Sequence, residues 1–453
     1  MAEHKRSTLS VKQERAVLVG VILPRSKADP NDPLGELAAL AKTAGAKVVA
    51  QILQRRQRAD AGTYVGSGKV AEIAQLVLQH DADVVVFDND LSPGQIEALE
   101  RKINKGIEAP EGDGIKVLDR SELILDIFAS RARTHEAKLQ VELAQMQYTY
   151  PRLTGMWGHL ERIAGGGAGG GIGARGPGEM QLEIDRRLAR RRISALRHEI
   201  DIISARKDRL IQQRQHDHYT ICIVGYTNAG KSTLFNTLTS AGVEADDRLF
   251  ATLDTRTRAW KLERGLEALL SDTVGFVRDL PHHLVASFKA TLQEAIHADL
   301  LLHVLDMNQE QAEQQYNSVQ AVLEEIGAGE KPQLLLLNKI DTERGQARWP
   351  EWRTLHPAAI PISARGGSGL VDLHDAVVRQ MRGGQVEVIL EAASSNGKLI
   401  SFIERHSQVR SRDFVDGRVR MTVVMGKQTV ADLAKNEQVE LVEVKEVDSK
   451  APA

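Results

Sequence analysis

The apolar run Tyr219-Thr220-Ile221-Cys222-Ile223-Val224 leads directly into Gly225-Tyr226-Thr227-Asn228-Ala229-Gly230-Lys231-Ser232, and a helical pattern from Thr233 to Leu238 follows at once. A strand, a glycine-framed loop closing on Lys-Ser, and a helix together specify a phosphate-binding loop. Its glycines let backbone amides close around a β-phosphate, and the helix N-terminus adds its dipole. Lys231 reaches the β- and γ-phosphates while Ser232 offers a hydroxyl to Mg2+. Such a loop commits the chain around it to a mostly parallel sheet flanked by helices. It does not identify the base.

The base is read further on. After Leu334-Leu335-Leu336-Leu337 comes Asn338-Lys339-Ile340-Asp341. A carboxylate in the loop after a buried strand accepts both the ring N–H and the exocyclic amine of guanine. Adenine lacks that donor pair, so Asp341 selects GTP by rejecting ATP as well as by attraction. Asn338 orients this loop and Lys339 lies along the base plane. Ile360-Pro361-Ile362-Ser363-Ala364-Arg365 reads as one more strand ending in a small-residue loop, with the Ala364 amide expected to donate to the guanine carbonyl.

Between these lies Leu269-Leu270-Ser271-Asp272-Thr273-Val274-Gly275, again a strand ending in an acid. Asp272 is expected to hold Mg2+ through water and the Gly275 amide to meet the γ-phosphate. Phe250-Ala251-Thr252-Leu253-Asp254 supplies Thr252, whose hydroxyl completes the metal shell only when a γ-phosphate is present, which makes the site a switch. The expected catalytic set is Lys231, Thr252 and Gly275, with Ser232 and Thr252 as direct metal ligands. Phe276 follows Gly275, where many GTPases carry a water-orienting glutamine. A phenyl ring cannot orient water, so hydrolysis is expected to be slow until a partner orders the site. Arg256, Arg258 and Arg278 are candidate charge stabilisers, weighed against a plain solvated role. Asn228 is a candidate ligand for a monovalent cation, K+, beside the phosphates.

A chain of 453 residues exceeds what one hydrophobic core supports. The expected class is α/β and multidomain, with a P-loop GTPase domain over 218–384. Strand-like and helix-like pieces alternate before it: Ala16 to Leu23, Leu34 to Ala41, Lys47 to Leu53, Val70 to Leu78 and Val84 to Asp88. They predict an N-terminal α/β domain over 1–130. Gly66-Ser67-Gly68-Lys69 lacks the first glycine of a phosphate loop and reads as a turn before a helix. From 385 to 453 a small α/β appendage is expected, with Val386 to Leu390, Leu399 to Ile403 and Val419 to Val424 as strands.

In the remaining segment, 131–217, Leu139, Leu143, Met146 and Tyr150 form one helical stripe, and Ala189, Ile193, Leu196, Ile200, Ile203 and Leu210 form another. Matching seams separated by a break predict an antiparallel helical hairpin with its tip at 151–180. The tip holds nine glycines among the fourteen residues Gly165 to Gly178, flanked by Trp157, Arg162, Arg175 and Glu179. It suits either a flexible linker or a loop whose backbone approaches phosphates closely. The segment carries 16 Lys and Arg against 10 Asp and Glu in a chain of net charge -2, with Arg186, Arg187, Arg190, Arg191 and Arg192 clustered on one helix. That is a solvated helical face or a nucleic-acid surface. With aromatics at 4%, any RNA contact rests on phosphate and shape rather than base stacking.

Cys222 is the only cysteine, so an intramolecular disulfide is impossible, and its apolar neighbours predict core packing. No apolar stretch approaches the roughly eighteen residues of a membrane span. A cytoplasmic monomer is expected.

These strings resemble one family, the HflX GTPases. The most specific lie outside the nucleotide motifs: Tyr64-Val65-Gly66-Ser67-Gly68-Lys69, Asp119-Arg120, Leu123 to Ala129, Arg131-Ala132-Arg133-Thr134, Lys138 to Gln145, and Gly176-Pro177-Gly178-Glu179 with Gln181-Leu182-Glu183. Met180 and Ile184 depart from the usual threonines, and Thr255-Arg256-Thr257 from a more usual Pro-Thr-Thr. The resemblance implies binding to the large ribosomal subunit, with rRNA meeting the basic hairpin and its Gly-rich loop. It also implies splitting or rescue of stalled ribosomes under stress, and ribosome-stimulated GTP hydrolysis. The other reading that the residues leave open is a GTP-dependent scaffold that recruits a protein partner, at the membrane periphery if that partner is a membrane protease.

Overall fold

The computed structural model describes residues 14–24, 26, 28–109, 114–164, 177–239, 250, 255–263, 266–278, 292–383, 385–415, 417–426, 430, 433–434 and 439–446. They form two compact units. Residues up to Ile203, together with Phe250 and Arg278, make the first, and Ser204 onward otherwise makes the second. Phe250 and Arg278 thus group with the N-terminal part of the chain, although both lie within the 218–384 span of the expected GTPase domain.

The first unit starts as a four-stranded parallel sheet. Its elements are β1 (Arg15–Ile22), α1 (Gly35–Thr43), β2 (Lys47–Arg55), α2 (Ser67–His80), β3 (Val84–Phe87), α3 (Pro93–Gly106), β4 (Lys116–Asp119) and α4 (Arg120–Arg131), with strand order β2-β1-β3-β4. Val17, Val19 and Val21 of β1 pack with Ile73 and Val77 of α2 and with Leu99 and Ile103 of α3. Gly66 is the extended N-cap of α2, so Ser67, Gly68 and Lys69 form its first turn. A capping box between Ser92 and Gln95 starts α3, and Pro93, lacking an N–H to satisfy, suits its first position.

Two long helices follow, α5 (His135–Ala164) and α6 (Pro177–Asp217). Leu139, Leu143 and Met146 pack with Leu196, Ile193, Ile200 and Ile203. His135 meets Glu199 at 3.0 Å, Glu142 meets Arg192 at 2.6 Å, and Tyr150 meets Arg190 at 2.6 Å. Ascending α5 therefore means descending α6, the antiparallel hairpin that the two seams predict. Helix continues through Ala164 and resumes at Pro177, so the break is shorter than the 151–180 tip expected from composition. The Gly-rich residues 165–176 and the side chains of Trp157, Arg162 and Glu179 lie outside the described residues.

The second unit carries β5 (Tyr219–Gly225), α7 (Lys231–Thr239), β6 (Arg256–Glu263), β7 (Leu266–Asp272), β8 (Leu300–Asp306), α8 (Ala312–Glu325), β9 (Gln333–Asn338), α9 (Glu343–Leu355), β10 (Ile360–Pro361) and α10 (Leu370–Gly383). The sheet order is β10-β9-β8-β5-β7-β6, parallel except for β6 against β7. Alternation along β5 builds two cores. Ile221 and Ile223 face Leu234, Phe235, Leu373 and Val377, while Cys222 and Val224 face Leu292, Val319 and Leu323. A strand buried on both faces reads as the unbroken apolar run from which it was located.

The chain then forms β11 (Gln385–Ala393), α11 (Gly397–His406), β12 (Gln408–Val415), β13 (Arg418–Gly426) and β14 (Val439–Glu446), an antiparallel sheet in the order β12-β13-β11-β14. Leu399 to Ile403, expected as a strand, is helical. Asn396 caps the helix by accepting from the Leu399 amide, and Leu399, Ile400 and Ile403 bury one helical stripe against Val388 and Met421.

Candidate nucleotide-binding site

The strand ends of the second unit bring the motif residues together. Gly225 closes β5, Asp272 closes β7, Asp306 closes β8, Asn338 closes β9, and Ser363 lies two residues beyond β10. All lie at the carboxyl edge of the sheet, where open α/β sheets take their ligands.

The phosphate loop needs its glycines. Gly225 has φ 149° and a Cβ there would stand 2.3 Å from the Val304 carbonyl oxygen, while Gly230 has φ 98° and a Cβ would stand 2.3 Å from Asn338 Nδ2. Asn228 lies exposed between them with φ 60°. Lys231 is buried at the start of α7 and donates from Nζ to the Tyr226 carbonyl at 2.7 Å. Burial lowers its pKa to about 8, opposed by the nearby Asp272 carboxylate. The Thr227 hydroxyl is buried with no hydrogen-bond partner among the described residues. Ser232 Oγ donates to Asp272 Oδ2 at 2.8 Å, which pairs a hydroxyl with a carboxylate of the hard-oxygen type that Mg2+ prefers. An orphaned hydroxyl, a glycine cradle and this oxygen pair fit a magnesium–phosphate ligand.

The segment after β7 is tied to the phosphate loop. Thr273 Oγ1 donates to the Ile223 carbonyl at 2.7 Å, the Phe276 amide donates to Gly225 at 3.2 Å, and the Thr227 amide donates to Phe276 at 2.7 Å. Gly275 is pressed against this loop: a Cβ on it would stand 2.8 Å from Thr227 Cα and 2.9 Å from Lys231 Nζ. Val274 is buried, and Phe276 packs into the core with Cys222, Val224, Tyr226 and Leu292. The phenyl ring is therefore a packing group.

Asn338 joins the phosphate loop to the base loop. Its Nδ2 donates to the Ala229 carbonyl at 2.8 Å and its Oδ1 accepts from the Ala364 amide at 2.9 Å. That amide is the one expected to meet the guanine carbonyl. Ser363 Oγ instead accepts from the Gly366 amide at 2.8 Å, turning the loop, and Arg365 is exposed. Lys339 adopts φ 67°, a left-handed conformation that a lysine rarely takes, and its Nζ bonds the Asn228 carbonyl at 2.9 Å and Asp306 at 2.7 Å. Ile340 donates to the Ile362 carbonyl at 3.3 Å. Asp341 is exposed, immediately before Thr342, the N-cap of α9.

Asp306 had no place in the motif reading. Its signal is present, because Leu300 to Asp306 is an apolar strand ending in an acid just as Leu266 to Asp272 is. Ala251, Thr252, Leu253 and Asp254 lie outside the described residues. Phe250 is buried in the first unit with φ 56°, edge-on to Phe128 at 4.5 Å between ring centres. Arg256 and Arg258 lie on the edge strand β6, and Arg258 is exposed. Arg278 is not solvated: in the first unit it pairs with Asp88 at 2.8 Å. Among the described residues no cluster of three His, Cys, Asp or Glu side chains could hold a metal, and no helix is long and apolar enough to cross a membrane.

Comparison with known proteins agrees with this geometry. Residues 31–129 match the family described as GTP-binding GTPase N-terminal, 131–214 the GTP-binding GTPase Middle Region, and 220–339 the 50S ribosome-binding GTPase family. The chain is 40% identical to GTPase HflX of Lacrimispora saccharolytica over 425 residues, covering 94% of this chain and 96% of that one. It is 43% identical to GTPase HflX of Escherichia coli K12 over 415 residues, covering 91% and 93%. A crystal structure of a GTP-binding protein from Sulfolobus solfataricus in complex with GDP aligns at 25% identity over 81% of this chain and 98% of that one, with a TM-score of 0.43. With both full-length relatives well above the identity at which family is in question, and each covered almost end to end, the chain belongs to the HflX family of GTPases.

Proposed function

We propose that this GTPase binds the large ribosomal subunit in its GTP state, acts there to split or rescue stalled ribosomes under stress, and hydrolyses GTP slowly until the ribosome orders its switch segments. The observation that carries the ribosomal partner is the face of α6 turned from the hairpin seam, where Arg187, Arg191 and Arg197 are exposed while Ala189 and Leu196 are buried and Arg190 and Arg192 meet α5. Guanidinium groups in a row on a rigid helix suit the phosphates of folded RNA. The match of 220–339 to a family described as 50S ribosome-binding agrees with that choice.

At the site itself, Gly225 to Ser232 cradle the phosphates and Asp341 reads guanine. Ser232 and Thr252 would ligate Mg2+, with Asp272 acting through water. The ion neutralises charge on the phosphates. Asn228, exposed in the loop, is the proposed ligand of a K+ ion, and equal turnover in Na+ and K+ would remove that assignment. The buried Phe276 side chain supports slow intrinsic turnover, since no water-orienting group stands at that position. The protein is expected to work as a cytoplasmic monomer.

Co-sedimentation with purified ribosomal subunits tests the reading. Binding to the large subunit with a GTP analogue, lost with GDP and at high salt, together with faster GTP hydrolysis on the subunit, is the expected result. Binding to neither subunit in either nucleotide state would leave a scaffold that recruits a protein partner.

A further inference from the structure

Asp306 closes β8 and is 2% exposed, yet it belongs to none of the strings that specify a nucleotide site. Each of its carboxylate oxygens has a donor. Oδ1 accepts from the Asn308 amide at 2.9 Å, which folds Asp306, Met307 and Asn308 into a turn, and Oδ2 accepts from Lys339 Nζ at 2.7 Å. Asn308 Oδ1 in its turn accepts from the Thr342 hydroxyl at 2.6 Å. Lys339 and Thr342 are the residues on either side of Ile340-Asp341, so one short turn after β8 holds both ends of the loop that carries the guanine acceptor. The same turn is fastened to α9, because Arg348 donates to the carbonyls of Gln309 and Glu310, the second at 3.1 Å.

That loop has to be held from outside. Lys339 has φ 67°, and a residue with a side chain keeps a left-handed conformation only where its surroundings fix it. Its Nζ bonds the Asn228 carbonyl at 2.9 Å as well as Asp306, so the ammonium joins the base loop, the phosphate loop and the turn after β8. An ammonium brings donors and no acceptor, and of its two partners here Asp306 alone carries a compensating charge. The Lys339 carbonyl accepts from the Thr342 amide at 3.2 Å, and Thr342 caps α9 by accepting from the Gly345 amide at 3.1 Å. Helix and loop are in close contact at this point: a Cβ on Gly345 would stand 2.1 Å from the Lys339 carbonyl oxygen.

We propose that Asp306 is a positioning residue that sets base specificity: through Lys339, and with Asn308 through Thr342, it fixes the backbone on both sides of Asp341 so that this carboxylate meets both N–H donors of guanine at once. This rests on the assignment of Asp341 to the base. A bidentate contact depends on placement more than a single one does, because a displaced carboxylate keeps one donor and loses the other. Loosening the clamp therefore costs guanine more than it costs a base that lacks the exocyclic amine. Hypoxanthine is such a base, presenting the ring N–H alone. The ratio of affinities for GDP and inosine diphosphate thus reports the second hydrogen bond, without any contact between Asp306 and nucleotide.

The test measures affinity of the full chain for GDP and for inosine diphosphate by isothermal titration, in wild type, Asp306→Asn, Asn308→Ala and Asp341→Ala. Asp306→Asn keeps the shape of the side chain but offers one acceptor to two donors and turns its own N–H groups toward the other. The expected result is a wild-type preference for GDP of about tenfold or more, a preference near unity in Asp341→Ala, and one reduced about fivefold or more in Asp306→Asn. A merely structural role would weaken both nucleotides alike and leave the preference at its wild-type value, and that outcome overturns the clamp. If Asp306→Asn loses the native circular dichroism spectrum, Asn308→Ala, at a half-buried position, decides by the same criterion with a reduction of about twofold or more. A wild type without preference for GDP, or a preference that Asp341→Ala leaves intact, would instead overturn the assignment of Asp341 to guanine.

Discussion

Asn338→Ala is the substitution whose cost can be worked from the geometry. The side chain makes two hydrogen bonds to buried backbone, donating to Ala229 in the phosphate loop and accepting from Ala364 in the base loop. Asn338 is 2% exposed and Ala229 and Ala364 are equally enclosed, so truncation leaves a carbonyl and an amide without water to replace the lost partner. Each such orphan costs about 1–3 kcal/mol, so the pair costs at least about 2 kcal/mol. If bound nucleotide needs both loops in place, that loss appears in affinity as a fall of roughly 30-fold or more in GDP binding, since 1.4 kcal/mol is tenfold. Asn338→Asp is the sharper control. It keeps an acceptor for the Ala364 amide but turns a carboxylate oxygen toward the Ala229 carbonyl, so it is expected to do no better than alanine. Isothermal titration with GDP, alongside thermal melting, reads both effects. If Asn338→Ala binds GDP within about threefold of wild type and melts at the same temperature, the coupling of the two loops through this side chain is refuted.

Two further outcomes follow from the same sheet. Asp341→Asn replaces the acceptor of two guanine donors with an amide, so affinity for GDP should drop about 100-fold while xanthosine diphosphate, with a carbonyl in place of the amine, should gain; competition titration that leaves GDP the better ligand would contradict the assignment. Cys222 is buried in β5, and burial, reinforced by the charges of Glu294 and Asp272, pushes its thiol well above the ordinary range. Because the thiol pKa is raised in the folded state, the stabilising contribution is complete below the unfolded thiol pKa of about 8.5 and is lost as pH rises through the folded value. Alkylation at about pH 8.5 should then be far slower in native protein than in urea, and equal rates by mass spectrometry would show the side chain to be accessible.

How much of this was legible in the sequence depended on whether a residue's role is local. Gly225, Gly230, Lys231, Ser232, Asp272 and Asn338 each sit at a strand end or a helix start, so an apolar run followed by the right residue type located them. The hairpin was legible for the same reason, since its seam has a fixed period. Leu399 to Ile403 was misread because a five-residue apolar stretch fits either period, and the deciding signal, the Asn396 cap, lies outside the run. The commitment of the Ala364 amide to Asn338 spans 26 residues, and the pairing of Arg278 with Asp88 spans 190. Nothing in the local pattern of either segment encodes such a partner.

That distinction applies to Phe276 and Arg278, two residues apart. A phenylalanine where a glutamine often stands cannot orient water, and its ring is also a full member of the core with Cys222, Val224 and Leu292. An arginine just beyond reads as a charge free to meet a phosphate, yet it is spent on Asp88 and Glu36. Burying Phe276 fixes the chain beneath the phosphate loop, while two residues later the Arg278 side chain is committed to carboxylates that no local pattern announces.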